Sequence, residues 1–343
     1  MYHNDFQPPD SGSSINIQQN EISEQVSIYH ACVAQLKMQS GALALTVIVN
    51  ILLLYLFQTA GAWLVVRLIQ ITGFDLISMD AVNELYTMLL YVVAFLLPYL
   101  IYAKAVEYHL DDIPRDQPYP PVLAASIGVS LGLSVAGILL SMIISIFFSF
   151  FGLYPMRLPL ELPQDSFAAA LFILNTIFIP ASIEEFVNRG IVLGSLRKYG
   201  DRFAIIVSAL IFALLHRNMA QIPNAFLLGL AMGYFVVKTN SIWTGILIHF
   251  TNNLLVLIIS VSTLGLSDLQ GIFATGLLFL FYLIACGWGL IYFLKIRRLD
   301  MSLFPSCCPV EERSLYRSYL LNFPTIMMLL LFVWVIYLNF ERF

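Results

Sequence analysis

Six side chains between positions 184 and 253 of this 343-residue chain have the types and spacing for hydrolytic chemistry. The stretch Ala181-Ser-Ile-Glu-Glu-Phe-Val-Asn-Arg-Gly190 sets Glu184 beside Glu185 and places Arg189 one helical turn beyond Glu185. An i, i+4 Glu/Arg pair on a helix can neutralise one carboxylate. Glu184 points about 100° away around the same helix, keeps no such partner, and is left for general-base work. Phe212-Ala-Leu-Leu-His216 ends a later apolar run, and His249-Phe-Thr-Asn-Asn253 lies within another. A spacing of four puts His249 and Asn253 on one helix face, where both can address one substrate carbonyl. An ionisable group in a bilayer costs about 2.5–3.5 kcal/mol on insertion scales, so each of these is a functional candidate by default.

The elements that must position them are membrane helices. The chain is 59% hydrophobic and only 11% charged, with mean hydropathy +0.84; soluble domains carry about 25% charge. Nine apolar segments are long enough to cross or nearly cross a bilayer: Leu43–Val66, Tyr86–Ala105, Val122–Phe151, Phe167–Ile183, Phe203–Leu215, Ile222–Val237, Ile242–Thr263, Ile272–Leu294 and Leu320–Asn339. The expected fold is an all-α polytopic bundle. If the chain turns back near Gly200, Glu184 and His216 lie equally far from the turn, and a helical hairpin sets them level. His249, only seven residues after Ile242, enters shallower by the same count.

Alternating nine spans from a cytoplasmic N-terminus leaves only Arg67, Arg157, Arg217 and Arg342 outside and the other thirteen of 17 basic residues inside. This is the asymmetry of the positive-inside rule, and it supports the nine-span count and a cytoplasmic N-terminus with the C-terminus outside; the expected location is the plasma (inner) membrane. Residues 1–40 are polar and expected to be mostly disordered, with a short amphipathic helix near Ile22–Met38 and no cleavable signal peptide. Residues 41–118 form the N-terminal membrane helices and 119–298 the part with chemistry; 299–343 hold a loop and the last helix.

The order Glu-Glu-x-x-x-Arg, Phe-x-x-x-His, His-x-x-x-Asn on separate apolar segments resembles the CAAX protease and bacteriocin-processing (CPBP) family of intramembrane proteases, also known as the type II CAAX prenyl endopeptidase or Abi family. The run Phe226–Phe235, then Thr239-Asn-Ser-Ile-Trp243, resembles the family's approach to its third motif. The resemblance implies that Glu184 with His216 activates water to attack a peptide carbonyl, that His249 and Asn253 steady the oxyanion, and that Glu185 and Arg189 support the first pair. It also implies a peptide or protein substrate in the membrane. A Zn²⁺ ion held by Glu184, His216 and His249 is compatible with those ligand types, but the His-Glu-x-x-His zinc helix is absent.

Other readings compete with this one. A non-catalytic scaffold or bacteriocin self-immunity protein would use the same helices without their chemistry, and a solute transporter would call for internal repeats that the chain lacks. Gly128-Val-Ser-Leu-Gly132 matches a serine-nucleophile pattern but lies in an apolar helix, where small residues read as a packing face, as does Gly229-x-x-x-Gly233. A net charge of −4 and no basic run interleaved with aromatics exclude nucleic acid as a partner. Cys32, Cys286, Cys307 and Cys308 show no metal spacing and read as incidental.

Overall fold

The computed structural model describes residues 11–72, 77–156, 161–297 and 302–342. Its helices are, in chain order, α1 (Ser11–Leu56), α2 (Ala62–Thr72), α3 (Met79–Leu90), α4 (Leu97–Ala105), α5 (Pro120–Ser149), α6 (Ser166–Ile173), α7 (Ile179–Glu185), α8 (Gly194–Leu196), α9 (Asp201–Leu215), α10 (Ile222–Thr239), α11 (Ile242–Ser262), α12 (Asp268–Ile291), α13 (Glu312–Leu320) and α14 (Phe323–Leu338). Two three-residue strands, β1 (Leu153–Pro155) and β2 (Phe340–Arg342), pair antiparallel. Turns of π-helix join α1 to α2, α3 to α4, and α6 through α7 to α8, so each of these sets reads as one long helix.

All nine apolar segments are helical, and the all-α expectation is borne out. Seven helices among the described residues are long and apolar enough to cross a membrane, and α13 with α14, bent by 69°, make an eighth if taken as one span. The segment that falls short is α9, whose 15 residues reach about 22 Å against a hydrocarbon core of about 30 Å.

Two expectations need correction. Residues 11–40 are not a disordered tail, because α1 runs unbroken from Ser11 and takes in the helix expected at Ile22–Met38. From Leu36 onward α1 is gripped by packing: Leu36, Leu43, Val47 and Ile51 are fully buried in a core shared with α4, α9 and α14. Residues 1–10, Arg157 and Arg298 lie outside the described residues. Nor are all the cysteines incidental, since Cys32 and Cys308 form a disulfide across 276 residues of sequence, which no local spacing could have signalled.

Small residues set the helix spacing, as the sequence suggests. The Cα atoms of Gly128 and Gly132 on α5 face Ala285 and Cys286 of α12 so closely that a methyl group on either would collide. Gly229 faces Ala209 of α9, where an added Cβ would stand 3.2 Å from the alanine methyl, and Gly233 faces Ile205. Van der Waals contact drives helix association in lipid, and close backbones increase it.

Candidate active site

The hairpin that levels Glu184 with His216 turns at Gly200. This residue adopts φ +104°, a conformation glycine reaches without the penalty of a side chain. The next residue fastens the turn: Asp201 accepts from Arg197 Nε at 2.7 Å and from the Phe304 amide at 3.2 Å, and its own amide donates to the Phe304 carbonyl. Glu184 is the last residue but one of α7, which has Pro180 in its first turn and is flanked by π-helical turns at Leu174–Phe178 and Phe186–Leu193. Such widened turns are uncommon and recur at functional sites.

Glu184 and His216 line one cavity of about 470 Å³. Tyr91 donates to Glu184 Oε1 at 2.6 Å, which leaves Oε2 for a ligand. His216 sets Nδ1 2.9 Å from the Phe212 carbonyl. A carbonyl only accepts, so the proton lies on Nδ1 and the Nε2 lone pair is free. The rest of the wall comes partly from outside the segment that carries the motifs, with Gln58, Asn83, Tyr86 and Thr87 from the first helices joined by Arg217 and Gln221 beside His216. The loop after His216 is tied to the far end of the bundle. Asn218 donates to the Met156 carbonyl at 2.7 Å, and Asn339 donates to the Arg217 carbonyl at 3.2 Å.

Glu185, Arg189 and His249 form a second cluster, fully or almost fully buried. Arg189 Nη1 donates to Glu185 Oε1 at 2.6 Å, and His249 Nδ1 meets the same oxygen at 3.0 Å. The remaining Arg189 nitrogens find less: Nη2 donates to the Gly229 carbonyl at 3.2 Å, and Nε has no partner. Gly245 permits the approach of α11, because a Cβ there would stand 2.9 Å from Glu185 Oε2. Phe212 joins the two groups. Its ring lies edge-on to both His216 (5.0 Å) and His249 (5.6 Å), with the Arg189 guanidinium 4.3 Å over its face.

The sequence-derived residues thus divide. Glu184 and His216 share the cavity. His249 rests on Glu185, and Asn253 donates to the Thr176 carbonyl at 3.1 Å; neither lines the cavity. Tyr91, the direct partner of Glu184, was not picked out, since one hydroxyl among 17 tyrosines carries no spacing signal. Among the described residues no three His, Cys, Asp or Glu side chains are grouped to hold a metal ion. His249 does not line the cavity that Glu184 and His216 share, so these three side chains are not gathered around one position as a ligand set.

Residues 166–255, about a quarter of the chain, match the family model described as type II CAAX prenyl endopeptidase Rce1-like. This bears out the resemblance drawn from the three motifs. No curated protein and no solved structure matches the chain.

Proposed function

We propose that this integral membrane protein, whose residues 166–255 match the type II CAAX prenyl endopeptidase Rce1-like family model, cleaves a peptide bond of a membrane-associated or small peptide within the bilayer. The observation that carries the reading is the shared cavity of Glu184 and His216, two groups from helices that the Gly200 turn brings level.

In this scheme a water lies between Glu184 Oε2 and His216 Nε2. His216 accepts one of its protons in a hydrogen bond and aims the oxygen lone pair. Glu184 removes the other proton as the oxygen attacks the substrate carbonyl carbon, then hands it to the leaving nitrogen as the C–N bond breaks. Tyr91 holds the carboxylate so that Oε2 faces the water. The oxyanion is assigned to His249 and Asn253, which do not line the cavity, so the bound peptide must reach beyond that cavity towards α11. With Nδ1 on Glu185, His249 is held in one orientation, and its Nε2 edge is the part left to meet the substrate. Asn253 retains a second amide hydrogen beside the one on Thr176. Preorganised donors of this kind are each worth about 10²–10³ in rate.

The test is cleavage of a reporter peptide library by the purified protein in lipid discs, with Glu184→Gln alongside. Cleavage that survives this substitution overturns the assignment. A chelator added to the same assay is expected to leave the rate unchanged, because His249 stands outside the cavity of Glu184 and His216. Loss of cleavage with chelator, and its return with Zn²⁺, would restore Glu184, His216 and His249 as ligands.

A further inference from the structure

A second pocket, of about 240 Å³, opens where α10 and α12 end and α5 begins, with Lys238, Arg297, Asp116, Tyr119, Tyr234 and Phe293 in its wall. It shares no residue with the cavity of Glu184 and His216. Its charges are two cations and one anion. Arg297 is exposed and has no hydrogen-bond or ion-pair partner among the described residues. Lys238 uses one of its three hydrogens on the Ser302 carbonyl. Asp116 is fixed in place: its amide donates to the Asn240 carbonyl at 3.2 Å, and Asn240 Nδ2 donates to Oδ2 at 2.8 Å. Its other carboxylate oxygen has no hydrogen bond among the described residues.

We propose that this pocket binds the headgroup of an aminophospholipid, with the phosphate between Lys238 and Arg297 and the primary ammonium on Asp116. The two cations answer the phosphate, and basic pockets between membrane helices are suited to lipid headgroups. A phosphate alone would meet repulsion from Asp116; a head that also carries an ammonium turns that carboxylate into a partner. The tails have a place as well. Beside the pocket α12 and its extension present Leu294 and Ile296 at 64% and 66% exposure, and Tyr119 is exposed at the rim. A soluble phosphoamine would leave this apolar surface uncovered.

The experiment places the full chain in lipid discs of phosphatidylcholine alone, or with added phosphatidylethanolamine or phosphatidylglycerol. Lipid retention is read by native mass spectrometry and the unfolding midpoint by heating. Phosphatidylethanolamine is expected to be retained best and to raise the midpoint most. Arg297→Gln, which removes no internal bond, is expected to weaken retention about fivefold, and the double variant with Lys238→Gln more strongly. Asp116→Asn is expected to erase the preference for phosphatidylethanolamine over phosphatidylglycerol. Three results overturn the proposal: no difference among the three membranes, wild-type retention by Arg297→Gln, or a midpoint shift reproduced in full by free phosphoethanolamine, which has no tails.

Discussion

Glu184 and Glu185 are neighbours in sequence with different surroundings, and their variants are expected to fail differently. Glu184 faces the cavity, so Glu184→Gln should fold normally and lose about 10²–10⁴ in kcat, the usual worth of a positioned base. Tyr91→Phe removes a bond to a charged oxygen, worth about 1.5–3 kcal/mol. It should lower kcat by about tenfold or more with KM little changed, because the carboxylate is then free to turn. Arg189→Met leaves the Glu185 charge buried without its guanidinium, and losing one member of such a pair costs about 3–5 kcal/mol. Its signature is a lower unfolding midpoint, and an Arg189 variant as stable as the wild type would show that the pair is dispensable to the fold. The split between the two acids was legible in the sequence, because i, i+4 spacing pairs Glu185 with Arg189 and turns Glu184 away. The place of His249 was not legible, since its rest on Glu185 depends on Gly245 letting two helices close up. Tyr91 and the Thr176 carbonyl could not be read at all, because a hydroxyl 93 residues from its partner and a backbone oxygen leave no pattern.

Each apolar run located a membrane helix, because lipid demands about 20 apolar residues per crossing and every backbone group paired within its own segment. The run Phe203–Leu215 was the shortest of the nine, and α9, at 15 residues, is correspondingly shorter than a full crossing. Its length is fixed by the Gly200 turn at one end and at the other by Arg217, whose φ of +57° ends the helix. Gly200→Ala must hold a side chain at φ +104° and bring it within 3.1 Å of the Ser306 amide nitrogen. It is expected to cost about 1–3 kcal/mol and to lower kcat, because the turn sets the relative depth of Glu184 and His216. Thermal unfolding and peptide cleavage should fall together, and full activity in this variant would separate the turn from the site. Outside the bilayer the cap of α6 predicts a pH effect. Asp165 accepts from the Ala168 amide and from the Ser78 hydroxyl, which itself caps α3. Those bonds hold its carboxyl below the ordinary aspartate value. The cap's contribution is therefore complete above the ordinary value and is lost as pH falls through the lowered one. Asp165→Asn should flatten that part of the acid unfolding profile, and an unchanged profile would count against the cap.

The chain closes on itself at both faces. At one, α1 meets the loop before α13 through Cys32–Cys308, and Asn322 donates to the Lys37 carbonyl; at the other, β1 after α5 pairs with β2 after α14. The alternation of nine segments fits these meetings, since the start of α1 and the start of α14 share a face while the ends of α5 and α14 share the opposite one. The face with the disulfide also holds Lys37, Lys104, Arg197, Lys198, Lys238 and Arg297, which the positive-inside rule assigns to the cytoplasm. Disulfides are rare there, because soluble thiols reduce them. On that assignment the disulfide would rely on burial to resist reduction, with Cys32 at 7% exposure and Cys308 partly buried. The neighbouring Cys307 is free and exposed, so the protein carries its own reporter of orientation. In a Cys286→Ser background, a membrane-impermeant maleimide added to intact cells is expected to leave Cys307 unlabelled, and the same reagent on inverted vesicles to label it. Labelling from outside the cell would reverse the charge-based orientation and put the N-terminus outside. The disulfide would then lie in an oxidising compartment, and its shielding would no longer be needed to account for it.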